Sequence, residues 1–270
     1  YGDFADLDAA TLADVQAFFK TYYVPNNAVL VMVGDVEPQE GFALALKHFG
    51  GIPAGAVPVF ADTSEPLQTE ERRGAVEEKF GKLPAMAIGY RVPPRRSEDW
   101  HAMAMLDGAL HGGRAGRVFR RLVMEKQVAV EADGGIEDLF GLSGPAQMVT
   151  RILHKPEISA EATLAEFDAV IREIQEKDIS ADELQQLQVK FRSDFYSSLE
   201  GGMMPRFGLM HLLACLTMFD GNPHVVNSVL DGFLAVTEKD VLAVAQKYLR
   251  KEQRAIVFRQ PAVLSKQEAA

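Results

Sequence analysis

The sequence predicts an α+β fold, in which a mostly antiparallel sheet is flanked by helices. Strand patterns and helix patterns do not alternate strictly along the chain, which distinguishes this class from a parallel α/β sheet. In addition, a unit made of a capped helix, a short turn and an apolar strand occurs twice, at residues 11–35 and 237–258. A repeat of this kind indicates two related domains.

The two copies of the repeat agree at a constant offset. Thr11 and Asp14 match Thr237 and Asp240, and three more positions agree: Val15 with Val241, Ala17 with Ala243, and Tyr22 with Tyr248. One extra residue in the connection then aligns residues 28–30 with 255–257. The Thr hydroxyl can accept a hydrogen bond from a first-turn amide, and the Asp favours the positive end of the helix. Any two capped helix–strand units look alike to some degree, but agreement in register favours duplication.

The position of the repeat predicts the domain organisation. Only ten residues precede the first copy, whereas a domain needs on the order of 100 residues to bury a core. We therefore expect a fragment, in which residues 1–62 are the tail of one domain and the start of a linker. Residues 65–262 would form a complete sister domain, followed by a tail at 263–270. The linker over 52–75 contains three prolines and has no sustained period.

Hydrophobic spacing assigns the elements of the first part. A helix begins after Thr11 and presents an apolar face, and Pro25 ends it. The continuous apolar run Ala28 to Val33 predicts a strand that is covered on both faces. Pro38 then opens a helix over Gln39 to Phe49.

In the second part, apolar runs bounded by prolines and glycines predict strands at Ala75–Phe80 and Ala85–Val92, and a strand pair at Val128–Ala132 and Ala146–Leu153 joined by a Gly-rich loop. Ser97 is expected to cap a helix that runs through Ala109. The remaining helices are predicted at the following ranges: Arg117–Lys126, Ser159–Lys177, Ser180–Leu199, an apolar segment Met203–Phe219 after Gly201-Gly202, and Pro223–Ala235.

Composition excludes several classes of function. The net charge is −10 and no basic stripe is present, which argues against nucleic-acid binding. The single cysteine, Cys215, allows no intrachain disulfide. No apolar run approaches the roughly 20 residues that span a bilayer. These features predict a soluble protein but do not determine its compartment, which is periplasmic, cytoplasmic or, if eukaryotic, an organellar matrix.

The residues themselves do not predict an active site. The six histidines form no H-x-x-E-H, H-x-x-H or Cys/His cluster, and a metal site assembled from distant histidines is the less favoured alternative. The segment His111 to Gly116 is expected to be a helix end and turn, because it lacks the Gly-Lys-Ser/Thr ending of a phosphate loop. Cys215 lies among leucines and is expected to be an inert core thiol.

The chain resembles the insulinase-like, or M16, family of zinc peptidases, which includes the mitochondrial-processing-peptidase-like enzymes. Residues 7–35 are similar to the end of the family's first domain. Residues 113–122 (GRAGRVFRRL) resemble its "GGGxSSRLFxxLR" segment, and residues 236–249 resemble its closing "VTxEDVxxxAxxYL". The resemblance implies a fold of the LuxS/MPP-like metallohydrolase type and identifies the chain with the C-terminal half, including the second, inactive domain.

The resemblance also implies what this chain lacks. In the family, an inverted H-x-x-E-H and a downstream Glu hold zinc on the first domain, and these positions precede residue 1. Many second domains contribute an Arg and a Tyr that hold the substrate. The corresponding residues here are Val123 and Val130, and neither can donate a side-chain hydrogen bond. We therefore predict no catalytic or metal-binding residue in this chain, with zinc bound in the parent protein.

Two hypotheses follow from the resemblance. In the first, the chain is the C-terminal half of an M16-type zinc endopeptidase subunit, where it walls the peptide chamber and presents an edge strand to an extended peptide. Its partners would be the N-terminal zinc-binding half, a peptide substrate, and a second M16-like subunit or another copy. In the second, the parent is a non-catalytic partner or assembly subunit. An H-x-x-E-H upstream would discriminate between them.

Overall fold

A computed structural model describes residues 3–59, 65–79, 81–136, 146–200 and 207–262. The chain divides into two compact units, Tyr1–Glu65 with Ser197–Val226, and Pro66–Tyr196 with Asn227–Ala270. Our division of the sequence at 1–62, 65–262 and 263–270 remains a proposal. Several predicted features lie outside the described residues: Phe80, the last residue of the strand predicted at Ala75–Phe80, the loop at 137–145, the break at 201–206 and the tail at 263–270.

Most of the helices begin and end close to the predicted positions, whereas α1 is not predicted by the sequence. Their bounds are α1 Phe4–Ala9, α2 Leu12–Tyr22, α3 Pro38–Phe49, α4 Trp100–His111, α5 Arg117–Phe119, α6 Ala160–Glu176, α7 Ala181–Glu200, α8 Phe207–Asp220, α9 Val229–Leu234 and α10 Glu238–Tyr248. Helix α5 continues directly as a π-helix over Arg120–Glu125. Single 3₁₀ turns lie at Pro25–Asn27, Gly113–Ala115, Pro223–Asn227 and Lys251–Gln253.

The repeated unit is reproduced down to its hydrogen bonds. In both α2 and α10 the Thr hydroxyl donates to the Asp carboxylate at 2.6 Å and accepts from the Asp amide at 3.3 Å. Both helices have 11 residues. The following 3₁₀ turns keep the same offset, so that Ala28 corresponds to Arg254 and not to Ala255 as the sequence alignment had it. The agreement between the two units therefore covers the helix, its cap and its turn.

The strand predicted at Ala28 to Val33 is wrong for this chain. The backbone at Ala28 is extended, with φ −127° and ψ 147°, but residues 28–33 belong to no strand. A strand is stable only when a neighbour satisfies its amides and carbonyls. Its counterpart, Arg254–Pro261, lies between two other strands, whereas none of the described residues pairs with 28–33.

The second unit is built on a five-stranded sheet among its described residues. The strands are β1 Arg72–Glu78, β2 Ala85–Val92, β3 Ala129–Ile136, β4 Ala146–His154 and β5 Arg254–Pro261. Their order is β1-β5-β2-β4-β3, and only the β1–β5 pairing is parallel. The predicted mostly antiparallel α+β fold is confirmed.

The core of this unit lies between the sheet and the helices. Burial alternates strictly along β2, where Met86, Ile88, Tyr90 and Val92 are buried. Helix α4 supplies Trp100, Met103, Leu106 and Leu110 to the same core, α6 supplies Phe167, and α10 supplies Val241 and Val244. Each fully buried aliphatic or aromatic side chain of this kind contributes about 1.5–3 kcal/mol.

Two predicted helix starts are corrected. Ser97 does not cap α4, because its hydroxyl donates to the carbonyl of Pro94 in a turn and the helix begins three residues later. The helix predicted from Pro223 to Ala235 is a 3₁₀ turn followed by the short helix α9. Ser159 caps α6 as expected. Ser180 accepts from the amide of Glu183, but the Glu183 carboxylate is bound to Arg117 instead of closing the capping box.

Candidate functional site

One face of the sheet is open among the described residues. The residues of β2 that alternate with its buried ones, Ala85, Ala87, Gly89 and Arg91, are half-buried. The same alternation leaves Gln147 and Arg151 of β4 and Val257 of β5 exposed. Because alternate residues of a strand point to opposite faces, these side chains share the face that is turned away from the helix-covered core.

The strand register arranges the open face in rows that cross the sheet. One row runs Gly74, Val257, Ala87, Arg151, Asp133. The next row runs Arg72, Ala255, Gly89, Val149, Gly135. The middle residues of the two rows, Ala87 and Gly89, are small, so the face has a shallow trough along β2.

Two glycines of the open face, Gly74 on the outer strand β1 and Gly89 in the trough, have free space above them. A Cβ at Gly74 would meet nothing within 4 Å, and one at Gly89 would approach only Gln147 Oε1, at 3.8 Å. These glycines are therefore not required by the packing of the strands. Charges surround the trough: Arg151 lies 3.6 Å from Asp133, and Arg259 lies 3.2 Å from Glu78. The floor of the open face along β2 is formed by small residues, with Arg91 at one end of the strand and the polar side chains Gln147 and Arg151 on the adjacent strand β4.

The segment that leads into the edge strand β3 contains three backbone irregularities. The chain first makes the π-helix at 120–125, whose last bond runs from Lys126 N–H to the Arg121 carbonyl at 2.9 Å. Gln127 then has a φ of +53°, in the left-handed region. The pairing of β3 with β4 finally shifts between Ala129 and Glu131, which leaves Val130 in a β-bulge.

The two positions singled out by the resemblance lie in these irregularities. Val123 is half-buried on the π-helix, and Val130 is 50% exposed at the bulge. π-Helices and β-bulges are frequent next to functional sites because they re-aim single side chains. Here both side chains are aliphatic, so they offer a substrate apolar contact and no hydrogen bond. Their correspondence to the family's Arg and Tyr stays a prediction.

A hydrogen-bonded chain at the end of α4 contains the side chains of a hydrolytic triad. Asp107 Oδ1 lies 2.8 Å from His111 Nδ1, and His111 Nε2 lies 2.8 Å from Thr150 Oγ1. Thr150 has no exposed surface, and the His111 side chain is 2% exposed. A nucleophile must reach its substrate, so this arrangement is not a catalytic triad. The sequence predicts the helix end at His111 but not the contacts of His111 with Asp107 and Thr150.

Arg254 forms a second buried cluster, on the helix side of the sheet. It is 1% exposed, its Nε lies 2.6 Å from Glu71 Oε2, and its guanidinium also pairs with Asp168. Burial alone would raise the pKa of Asp168, but hydrogen bonds from Arg254 and Lys251 outweigh it and hold that pKa below its usual value. Burial raises the pKa of the neighbouring Tyr90 to about 12. The charges of this cluster are matched within the protein, which indicates a structural role.

Cys215 has a base partner that the sequence analysis missed. Its Sγ lies 3.6 Å from His211 Nε2, because the two residues are four apart on α8 and share one face of the helix. The four-residue spacing of His211 and Cys215 is the sequence feature that could have indicated this contact. Cys215 itself is only 6% exposed, in agreement with a packed thiol.

The described residues do not fit a zinc site. Within 3–59, 65–79, 81–136, 146–200 and 207–262, no group of three His, Cys, Asp or Glu side chains could hold a metal ion. The histidines lie apart, and His111 and His154 have hydrogen-bond partners within the fold. No helix in the same ranges combines the length and the hydropathy that a membrane span needs.

Comparison with known proteins identifies a matching family model and several related proteins. A family model described as the peptidase M16 inactive domain matches residues 9–190. The zinc protease PqqE of Helicobacter pylori is 27% identical over 264 residues, which cover 95% of this chain and 56% of that protein. An uncharacterized zinc protease of Mycobacterium bovis is 25% identical over 260 residues, which cover 95% of this chain and 57% of that protein. The chain thus spans little more than half the length of these relatives.

Solved structures agree with the family model. A protease from Helicobacter pylori superposes with a TM-score of 0.86 at 27% identity, over 96% of this chain and 62% of that one. A peptidase M16 inactive domain from Pseudomonas fluorescens superposes with a TM-score of 0.81 over 98% of this chain and 61% of that one. At 19% identity the latter likeness concerns the fold alone. Since the family model covers well over half of its residues, the chain belongs to the peptidase M16 family and contains that family's inactive domain.

Proposed function

We propose that this chain walls the peptide-binding chamber of an M16-type zinc metalloendopeptidase and is not catalytic by itself. The observation that carries the proposal is the open face of the sheet, because its small central residues leave a broad, shallow surface for an extended peptide. The edge strand β3 adds backbone groups with which such a peptide can pair. Zinc and the general base would lie in the N-terminal half of the parent, as the family resemblance implies.

The exposure of α2 supports an N-terminal partner half. Val15, Phe18 and Phe19 are 48%, 54% and 52% exposed. The equivalent residues of α10 are at most 2% exposed: Val241, Val244 and Ala245. Since the two helices are copies, the apolar face of α2 corresponds to a core face of a complete domain. We infer that the N-terminal half of the parent covers it, while a second M16-like subunit or another copy of the chain are the alternative partners.

A matched pair of substitutions tests the chamber wall. Gly89→Ile adds a β-branched side chain to the trough, where its Cβ meets no backbone or core atom. Ala162→Ile adds the same side chain at an exposed position of α6. In the full-length protein we expect Gly89→Ile to weaken the binding of a labelled peptide about tenfold, or about 1.4 kcal/mol. Ala162→Ile should leave the affinity unchanged.

The stability of the two variants completes this test. The midpoint of denaturant unfolding should be unchanged or higher for Gly89→Ile, because the residue favours a strand and fills open space. Peptide affinity that is equal for Gly89→Ile and the wild type, with both folded, would contradict the assignment of the open face to the chamber.

Val123 and Val130 favour a second candidate, a non-catalytic partner or assembly subunit, because they cannot donate to a substrate carbonyl. Metal analysis of the full-length protein, with a fluorogenic peptide assay, discriminates between the candidates. One bound zinc per chain together with hydrolysis that a chelator abolishes supports the peptidase. Peptide binding without zinc or hydrolysis supports the partner subunit.

A further inference from the structure

The far end of β3 is held by the Asp107 carboxylate. Its Oδ2 accepts a hydrogen bond from the backbone N–H of Ile136 at 3.1 Å, while its Oδ1 lies 2.8 Å from His111 Nδ1. A carboxylate only accepts, so Nδ1 carries the proton and donates to Asp107. In neutral His111, Nε2 then accepts from the hydroxyl of Thr150. The buried side chains of His111 and Thr150 thereby orient the Asp107 carboxylate toward the backbone N–H of Ile136.

Ile136 belongs to the set of β3 residues whose backbone groups point away from the sheet. In β4, His154 N–H donates to Pro84 C=O, and Lys155 N–H donates to Val128 C=O. Successive residues of β4 therefore address β2 and β3 in turn, and the residues that address β3 are paired with Glu131 and Asp133. The intervening residues, Ala132, Gly134 and Ile136, direct their N–H and C=O groups outward.

Asp107 forms a hydrogen bond at only one of these three outward positions. It occupies the N–H of Ile136, whereas no described residue forms a hydrogen bond with the outward groups of Ala132 or Gly134. The carboxylate would also repel a peptide carbonyl that approached the same N–H, since both groups are acceptors. Gly135, with a φ of +144°, brings Ile136 to the carboxylate, and a Cβ at Gly135 would lie 3.2 Å from Asp107 Oδ2.

We propose that Asp107 is a positioning residue that ends the pairing edge of β3 at Gly134 and thereby sets the register of a bound peptide strand. His111 and Thr150 hold the carboxylate in place. The inference rests on the proposed function, because it requires that an extended peptide pairs with this edge. It adds the point at which pairing stops and the side chain that stops it.

Hydrogen exchange, read amide by amide in the full-length protein, tests the proposal. The probe is the decapeptide Lys-(Thr-Ala)₄-Lys, whose alternating residues favour an extended strand. In the wild type we expect the peptide to slow exchange at Ala132 and Gly134 at least about tenfold. Exchange at Ile136 should be slow already and unchanged by the peptide. Slowing at Ile136 on peptide addition to the wild type would overturn the proposal without any variant.

Two substitutions separate positioning from folding. In Asp107→Ala, exchange at Ile136 should be fast in the free protein and slowed by the peptide together with Ala132 and Gly134. Asp107→Asn retains a carbonyl acceptor and should restore the wild-type pattern. A peptide that fails to protect Ala132 and Gly134 in the wild type would remove the edge pairing on which the inference depends. Protection there, with identical patterns in wild type and Asp107→Ala, would remove the role of Asp107 alone.

Discussion

Arg254 is the buried charge on which several distant parts of the second unit converge. Its guanidinium joins Glu71, before β1, to Asp168 on α6, and its Nη1 lies 3.4 Å from the hydroxyl of Tyr90 on β2. A buried ion pair is close to neutral for stability when complete, but a partner left alone in the interior is costly. Removal of Arg254 is therefore expected to destabilise the fold mainly because Glu71 and Asp168 would keep their places without their partner.

We expect Arg254→Met to lower the free energy of unfolding by about 3–5 kcal/mol, since Asp168 then lies buried without its main partner. Urea denaturation of the wild type and the variant measures the difference. Arg73→Met is the matched control, because Arg73 is 42% exposed and its loss should cost about 1 kcal/mol or less. Equal losses for the two variants would show that burial does not decide the effect.

The same cluster predicts an acid dependence. For Glu71, burial alone would raise the pKa, but hydrogen bonds from Arg73 and Arg254 hold it below its usual value, and the pKa of Asp168 is lowered in the same way. Carboxylates with lowered pKa values contribute stability above their unfolded pKa of about 4, and that stability is lost as the pH falls further. Unfolding free energies measured from pH 6 to pH 2 should decrease below about pH 4. The decrease should be smaller in Arg254→Met.

Gly135 on β3 and Gly89 on β2 are two glycines of the same sheet for which the structure predicts opposite outcomes. Gly135 has a φ of +144°, which an L-residue rarely adopts, whereas Gly89 has ample space for a Cβ. Gly135→Ala should lower the unfolding free energy by about 1–3 kcal/mol. Gly89→Ala should be neutral or slightly stabilising. Thermal unfolding of the two single variants compares them, and a destabilised Gly89→Ala would contradict the open space assigned to that face.

At the scale of the element, α2 and α10 show how one local sequence has two outcomes. Both helices are capped by the same reciprocal Thr–Asp hydrogen bonds, and each is followed by a 3₁₀ turn. Their apolar faces differ, because that of α10 is buried in the second unit and that of α2 is exposed. The cap determines where each helix begins, but packing determines how much the helix contributes to stability.

This difference predicts unequal effects of equal substitutions. Thr237→Ala should lower the global unfolding free energy by about 1 kcal/mol, the usual value of a lost N-cap, because α10 is part of the core. Thr11→Ala removes an identical cap from a helix without buried residues, so only local fraying should increase. Denaturant unfolding reports the first effect, and hydrogen exchange at residues 12–22 reports the second. Equal global losses would indicate that α2 unfolds together with the core.

At the scale of the whole molecule, apolar surface in the first unit is the dominant feature. Phe42 and Leu46 on α3 are 72% and 74% exposed, and Leu30, in the segment that forms no strand, is 56% exposed. Exposed apolar area of this extent normally marks an interface, since burial contributes about 25 cal/mol per Å². As proposed above, the N-terminal half of a longer parent protein would cover this surface.

We therefore expect the isolated chain to self-associate through these residues. Light scattering across a concentration series should show a rising mean mass, and Leu46→Glu should reduce it. Gln39→Glu on the same helix adds the same charge without removing apolar surface and serves as the control. Added N-terminal half of the parent should suppress association. A monodisperse monomer at all concentrations would contradict this assignment of the surface.

The sequence by itself determined the class of the fold, most of its elements and the two matching capped helices with their turns. Caps such as Thr11–Asp14, the alternation of β2 and breakers such as Pro25 act over a few residues, so they can be recognised without knowing the rest of the structure. The family motifs can be recognised from the sequence for the same reason, since each lies within one short segment.

Only the tertiary structure decided which face of the sheet is open, which partners Arg254 and Asp107 find, and that residues 28–33 form no strand. Arg254 and Glu71 are 183 positions apart, and His111 and Thr150 are 39 apart. Whether an apolar run forms a paired strand depends on a neighbouring strand elsewhere in the chain or in another chain. The π-helix at 120–125 is likewise not predicted by the sequence, which has an ordinary helical period there. Local pattern thus predicts the elements, whereas contacts between distant residues decide their environment.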